Sequence, residues 1–462
     1  MTGAARRDDL VCISPVDGRE YARRPLATDS EIERALEQAR RAQRGWARTS
    51  LDQRCAAIER FLEAMEALNP LIVPEIAWQM GRPVRFGGEF RSLAERVRAM
   101  VDIAPAALAP FEAGTGRSVV RAPAGMVLVV APWNYPFLTA ANTIVPALLA
   151  GNAVILKHAA QTPLAGERFA EALATAGLPD GLFANLILSH EQTAKLLGSG
   201  LFDHATFTGS VEGGRAVERA AAGSFTSLTL ELGGKDPAYV REDCDVANAV
   251  ENLVDGSFYN SGQSCCGVER IYVHEAVWRP FLEGFVAAAS QYRLGDPLDP
   301  ETSLGPMASG KGAEWVRNQV RRAIAAGAVA HIPSQLFPAD SGQGPYLMPQ
   351  VLTGVDHSMA VMREETFGPV VGIIQVKDDE EALGLMNDSA YGLTASIWTL
   401  DLEAAERLAA RVEAGTVFAN RCDYLDPLLA WTGVKDSGRG ASLGRFGFDS
   451  VTRPKSLHLR SD

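Results

Sequence analysis

Apolar residues recur at helical spacing through the first hundred positions, then switch to short unbroken runs. Ile32, Ala35, Leu36 and Ala39 share one face of a helix that a capping box of Ser30 with Glu33 would open. Ser50 with Gln53 repeats the signal ahead of Cys55, Ile58, Phe61, Leu62 and Met65. Residues 126–130, Met-Val-Leu-Val-Val, predict a strand buried on both faces. A proline-bracketed loop, Pro132–Pro136, and an apolar helix to Leu149 follow. Residues 153–157 predict the next buried strand, and Pro163 opens a helix behind it. Two shorter strands are expected at Leu186–Leu188 and Ala205–Phe207. In the second half, strands at 269–274, 369–376, 393–399 and 415–420 alternate with helices at 246–258, 277–290, 310–326, 378–387 and 402–413. This alternation predicts βαβ units and parallel sheets. The segment 105–125 and the last dozen residues fit neither rhythm and read as extended arms. No linker separates the halves, so two closely packed domains with a cleft between them are expected.

Composition narrows the class. The 462 residues are 47% hydrophobic and 22% charged, an ordinary globular balance. The formal charge of −12 argues against nucleic acid or an anionic membrane surface as the main partner. No apolar run approaches the ~18 residues of a membrane span. No secretory signal is visible after Arg6 and Arg7. The six cysteines, at 12, 55, 244, 265, 266 and 422, are too few and too irregular for a disulfide framework, and a reducing, cytoplasmic setting is expected.

Chemistry-bearing residues gather in five stretches. Asn260-Ser261-Gly262-Gln263-Ser264-Cys265-Cys266-Gly267 puts adjacent cysteines in a loop-forming setting, without the spacing of zinc ligands. The pair reads either as small buried hydrophobes or as a nucleophile with its neighbour. Glu231, between two leucines in Leu230-Glu231-Leu232-Gly233-Gly234-Lys235, is a half-desolvated carboxylate suited to general-base work, or a group bonded to the adjoining Gly-Gly backbone or to Lys235. The turn Phe207-Thr208-Gly209-Ser210 opens a helix as phosphate-binding turns do, but matches neither the dinucleotide fingerprint nor a Walker loop. In Pro132-Trp133-Asn134-Tyr135-Pro136, Asn134 offers an amide to an oxyanion. Glu364-Glu365-Thr366-Phe367-Gly368-Pro369 offers a carboxylate for sugar hydroxyls and a ring for a flat cofactor. No metal is needed anywhere.

Together these stretches resemble the aldehyde dehydrogenase superfamily. The resemblance runs from about residue 10 to the end, through PWNYP at 132–136, GNAVILK at 151–157, FTGS at 207–210, LELGGK at 230–235, GQSC at 262–265 and EETFGPV at 364–370. It implies an α/β fold: a Rossmann-like cofactor domain (1–104 and 124–232), an α/β catalytic domain (233–448) and a small β oligomerisation arm (105–123 and 449–462). A homodimer or homotetramer is then expected. The implied reaction oxidises a small-molecule aldehyde to the acid with NAD or NADP. Cys265 is the implied nucleophile, Asn134 the oxyanion donor and Glu231 the base that activates the hydrolytic water. Lys157, Gly209, Ser210, Glu365 and Phe367 correspond to cofactor contacts, with Thr208, Trp133 and Gly233 in the same crevice.

The chain departs from the family pattern in three places, one of them an N-terminal region shorter than in the commonest members. Where a Lys-Pro-x-Glu motif is usual, it has Lys157-His158-Ala159-Ala160, so the acid that grips the adenosine ribose is replaced by Ala160. A carboxylate of the C-terminal region is absent from Ser437-Gly438-Arg439-Gly440-Ala441-Ser442-Leu443-Gly444, which leaves Glu231 as the base. The substrate pocket is expected around Tyr135, Ser264, Cys266, Tyr424, Leu425 and Trp431. This mainly aromatic and apolar set favours a hydrophobic or aromatic aldehyde. Asp423 and Asp426 would instead suit an aminoaldehyde, and Arg421 or His158 a semialdehyde. A CoA-acylating relative would lack Glu231, and a non-catalytic binding protein on the same scaffold would not need Cys265, Glu231 and Asn134 together.

Overall fold

The unbroken apolar runs become the central strands of two parallel sheets in the computed structural model, which describes residues 8–460. In the first sheet the spatial order is Ser227–Glu231, His204–Thr208, Met126–Val130, Ala153–Lys157, Phe183–Asn185, all parallel. Every residue of 126–130 and 153–157 is buried, as the absence of polar alternation requires. The winding reverses between Met126–Val130 and His204–Thr208. In open α/β sheets a crevice forms at the carboxyl ends of strands at such a reversal. Register puts Lys157 and Phe207 beside Val130, and Glu231 beside Thr208, so the motif residues collect along that edge. A short strand from far along the chain, Gly438–Arg439, returns to pair antiparallel with Ser227–Glu231.

The second sheet has seven strands, in the order Val329–Ala330, Gln350–Thr353, Val370–Val376, Val268–His274, Asp236–Val240, Thr394–Trp398 and Thr416–Ala419. All its pairings are parallel except the first. Strands Phe111–Glu112, Arg117–Pro123 and Thr452–His458 form a separate antiparallel ribbon with register from Thr452↔Pro123 to His458↔Arg117. The expected arm ranges therefore hold strands, although helix Phe90–Ala107 runs past position 105. Residues 461 and 462 of the expected arm, and residues 1–7 of the first expected domain, with Arg6 and Arg7, lie outside the described residues. Among the described residues no helix is long and apolar enough to cross a membrane.

Two local expectations are corrected. The first capping box is Thr28 with Glu31: Glu31 N–H donates to Thr28 Oγ1 at 3.2 Å, and Thr28 N–H donates to Glu31 Oε2 at 2.8 Å. The helix begins at Asp29, so Ser30 is already inside its first turn. The strand expected at Leu186–Leu188 is Phe183–Asn185; the two leucines are buried just past the sheet, where Leu186 N–H still reaches Leu156 O at 2.9 Å. The Ser50–Gln53 capping box forms as expected.

Candidate active site

Cys265 lies where the chain makes three successive left-handed turns after helix Val246–Phe258. Asn260, Ser261 and Gly262 have φ of 53°, 58° and 68°. Non-glycine residues in this region cost about 1–3 kcal/mol each and persist only where surrounding structure fixes them. Here the fixing groups are explicit. Asn260 Nδ2 donates to the carbonyls of Asn134 (3.2 Å) and Gln263 (3.3 Å). Gln263 Nε2 donates to Asn260 O at 3.0 Å, and its Oε1 accepts from Ala308 N–H at 2.8 Å. At Gly262 a Cβ would stand 2.3 Å from Gly368 O, so the close approach of the 367–369 loop also requires glycine.

Arg82 and Glu89 brace this turn. Arg82 donates to Asn260 Oδ1 at 3.1 Å, to Glu89 Oε1 at 2.7 Å and to the Asn134 carbonyl. The other oxygen of Glu89 accepts from Phe137 and Leu138 N–H at 2.9 and 2.7 Å, closing the start of helix Leu138–Leu149. Both side chains are nearly inaccessible, at 2% and 3%. Removing one partner of a buried pair leaves an uncompensated charge, which costs about 3–5 kcal/mol. Arg82→Ala is therefore expected to lower the unfolding free energy by roughly that amount and to loosen the Asn134 and Cys265 loops. Chemical denaturation checks it, and a loss below about 1 kcal/mol would mean that the Arg82–Glu89 pair does not hold the turn.

Cys265 is half-buried and stands between two cavities. The larger, about 610 Å³, is lined by Trp133, Asn134, Thr208, Gly209, Ser210, Gly233, Glu365, Phe367 and Cys265 itself. The smaller, about 310 Å³, is lined by Glu231, Tyr135, Ser264, Cys266, Tyr424, Leu425 and Trp431, and again by Thr208 and Cys265. The structure gathers most of the residues singled out in the sequence around these two cavities. Lys157 is buried at the end of its strand, where desolvation lowers its pKa, and Ala160 is exposed just beyond it; neither lines the larger cavity. His158 is buried at the same edge, its Nε2 3.0 Å from Pro136 O, and desolvation brings its pKa down to about 4.

The larger cavity suits a dinucleotide. Trp133 and Phe367 meet edge to face with centroids 5.6 Å apart. Ser210 caps helix Val211–Ala221, accepting from Gly213 N–H at 3.2 Å, and that helix N-terminus opens onto the crevice. At Gly233 a Cβ would stand 2.4 Å from Glu365 Oε1, so the backbone there passes directly over the carboxylate. Glu365 accepts from Gly234 N–H at 3.0 Å, and burial together with nearby Glu269 pushes its pKa up to about 7.

Glu231 ends its strand buried, with Ser442 Oγ donating to Oε1 and Thr208 Oγ1 donating to Oε2 at 3.3 Å. Burial raises its pKa, opposed by those two bonds and by nearby Arg96. Asn134 Nδ2 donates to Gln263 O at 3.2 Å; the second hydrogen of the amide is not engaged by this bond. Cys266 is buried, its Sγ donating to Asp423 Oδ1 at 3.0 Å. Its pKa stands well above the usual thiol value, through its contact with the Cys265 thiol and through burial. Asp423 also accepts from Ser264 Oγ at 2.6 Å, and burial pushes its pKa up to about 6.

The apolar reading of the smaller cavity is incomplete. Helix Phe90–Ala107 and the turn before it contribute Arg82, Glu89, Arg91, Glu95 and Arg96, and Asp255 and Asp423 add further charge. Among the described residues, buried Arg96 makes a single hydrogen bond, Nη1 to Asn142 Oδ1 at 3.2 Å. Its helix was legible in outline only, and nothing in the local pattern marks Arg96 as inward-facing. Asp423 lines the cavity and receives both Ser264 and Cys266. Asp426, Arg421 and His158, the other candidate selectors, do not line it.

Comparison with known proteins identifies the family. The model of the aldehyde dehydrogenase family matches residues 2–457, and the chain belongs to that family. It is 34% identical over 441 residues to the NAD(P)+-linked succinate semialdehyde dehydrogenase Sad of Escherichia coli, covering 95% of each chain. It is also 34% identical to betaine aldehyde dehydrogenase 2 of Rhizobium meliloti, covering 98% of this chain and 94% of that one. The crystal structure of succinic semialdehyde dehydrogenase from Streptococcus pyogenes in complex with NADP+ superposes with a TM-score of 0.92 at 28% identity, over 98% of this chain and all of the other. These relatives are dehydrogenases, so the non-catalytic reading of the scaffold is set aside.

Proposed function

We propose that this aldehyde dehydrogenase oxidises an aldehyde to the carboxylic acid at Cys265, with a nicotinamide cofactor in the larger cavity and the substrate in the smaller. The observation that carries this is the placement of Cys265 on the boundary of both, with Glu231 on the substrate side. Trp133, Gly209, Ser210, Glu365 and Phe367 would hold the cofactor, with Lys157 at the adjoining sheet edge. The chemistry that bound NAD(P)+ supplies is acceptance of a hydride. Cys265 Sγ forms the bond to the aldehyde carbon, and the free N–H of Asn134 and the Cys265 backbone N–H hold the resulting oxyanion. The oxidised substrate remains on Cys265 as a thioester. Glu231 then takes a proton from water as the water oxygen bonds to the thioester carbon. The C–S bond breaks, the thiolate returns to Cys265, and the acid leaves.

Charge in the smaller cavity sets the substrate class. Asp423 already has two donors, whereas Arg96 gives one hydrogen bond to a neutral amide and keeps the rest of its guanidinium. A buried guanidinium in this state favours a carboxylate partner. The reading is therefore a semialdehyde, an aldehyde with a carboxylate at its far end, and the names of two relatives support it. Asp423 favours the second reading, an aminoaldehyde, in line with the betaine aldehyde relative. Absorbance of the reduced cofactor across length-matched carboxylated, amino and plain aldehydes tests both. The carboxylated substrates are expected to have the highest kcat/KM; a plain alkanal in first place would return the pocket to the hydrophobic reading.

Ala160 bears on cofactor choice. A carboxylate there would accept from ribose hydroxyls, and charged hydrogen bonds contribute roughly 1.5–3 kcal/mol. It would also repel a 2′-phosphate, by about 4 kcal/mol at 4 Å and an effective dielectric of 20, less where solvent screens it. With alanine exposed at this position both effects are absent. NAD+ and NADP+ are expected to be used with kcat/KM values within ~100-fold, or about 2.8 kcal/mol. Ala160→Glu should shift preference toward NAD+, mainly by raising KM for NADP+. Strict NAD+ use by the unmodified enzyme would show that another residue reads the ribose. The ribbon of strands 111–112, 117–123 and 452–458 is proposed to pair subunits, since its last strand is largely exposed.

A further inference from the structure

Glu231 is gripped from a part of the chain more than two hundred residues away. The segment 437–444 crosses the end of strand Ser227–Glu231 and attaches to it twice. Gly438 pairs with Glu231 through the backbone, and Ser442 Oγ donates to Glu231 Oε1. Ser442 is itself held at both backbone groups: its N–H donates to Trp431 O at 2.9 Å and its carbonyl accepts from Trp431 N–H at 2.7 Å. The residues that follow, Leu443 and Gly444, have φ of 60° and 51°, so the loop turns sharply just past the serine. Ser442 is buried, at 4% exposure. Among the described residues the only other group bonded to the carboxylate is Thr208, at the longer distance of 3.3 Å on Oε2.

We propose that Ser442 is a positioning residue for Glu231, fixing the carboxylate by Oε1 so that Oε2 faces the substrate cavity and takes the proton of the hydrolytic water. The inference rests on the reading of Glu231 as the base. A hydroxyl that donates to a carboxylate favours its ionised, proton-accepting form. Trp431, which clamps the Ser442 backbone, also lines the smaller cavity, so the grip on Glu231 is built from the wall of the substrate site. Ser442 does not touch the reacting atoms in this scheme; it acts through Glu231 alone.

The test is Ser442→Ala beside Ser442→Thr and Glu231→Gln, each assayed for the pre-steady-state burst of reduced cofactor and for steady-state kcat against pH. For Ser442→Ala the expected result is an unchanged burst and a steady-state rate lowered about tenfold near neutrality. The rising limb of kcat should move to higher pH, so that the loss shrinks in alkaline buffer. Ser442→Thr, which keeps the hydroxyl, should restore the original limb. A uniform loss at all pH values, or an unmoved limb, would overturn the positioning role while leaving Glu231→Gln defective. Full turnover in Glu231→Gln would instead remove the base reading itself.

Discussion

Cys265→Ser is expected to abolish aldehyde oxidation, with a loss on the order of 10⁴-fold or more, the scale seen when an enzyme nucleophile is removed. A serine alkoxide is far harder to form near neutral pH than a cysteine thiolate. Cys266→Ser is expected to cost less than about tenfold, because the two sulfurs sit in different settings. Cys266 points away from the cofactor cavity into the Asp423 bond, is buried, and has its pKa raised well above the thiol range. A serine at 266 keeps a donor for Asp423. Comparing kcat/KM for both variants against the unmodified enzyme checks the assignment, and an exchange of phenotypes would place the nucleophile at 266.

Glu231→Gln is expected to keep a burst of about one equivalent of reduced cofactor per site and then slow by ~10²–10⁴-fold, the usual contribution of a general base. The thioester still forms, but water lacks a proton acceptor. Burial places the Glu231 pKa above the ordinary carboxylate value, and only the deprotonated form can accept a proton. Steady-state turnover of the unmodified enzyme should thus rise as pH increases through that pKa and fall as pH drops below it. The limb should vanish in the glutamine variant. Stopped-flow absorbance separates the two phases; loss of the burst as well would mean that Glu231 also activates Cys265.

Residues whose role is local were the ones legible in the sequence. The strands 126–130 and 153–157 show in their unbroken apolar runs, and helix 246–258 in its periodicity, because burial on both faces or on one face leaves a regular trace. Motif positions at strand ends follow the same logic: parallel register carries Lys157, Thr208 and Glu231 to one edge. Strand Asp236–Val240 was missed because it opens with Asp and Pro, residues that argue against a central strand. Asp236 is tolerated there because Thr394 donates to its carboxylate from the neighbouring strand, a contact invisible in the local pattern. Arg82 and Glu89 were missed for a related reason. They stand in a polar turn after a helix, and only the folded chain brings Asn260, 178 residues away, against Arg82. The Thr28 cap was misread by two residues because Thr-Asp-Ser-Glu offers two starts, and the helix takes the earlier one.

The claim that this chain works by covalent catalysis at Cys265 is tested most directly by trapping the intermediate. Glu231→Gln in a Cys266→Ser background, mixed with a carboxylated aldehyde and NAD(P)+, quenched in acid and digested, should yield one modified peptide. Mass spectrometry is expected to place the acyl group of the oxidised substrate on Cys265, in an amount matching the burst of reduced cofactor. Reduced cofactor formed in a burst with no acyl group on Cys265 would contradict the account.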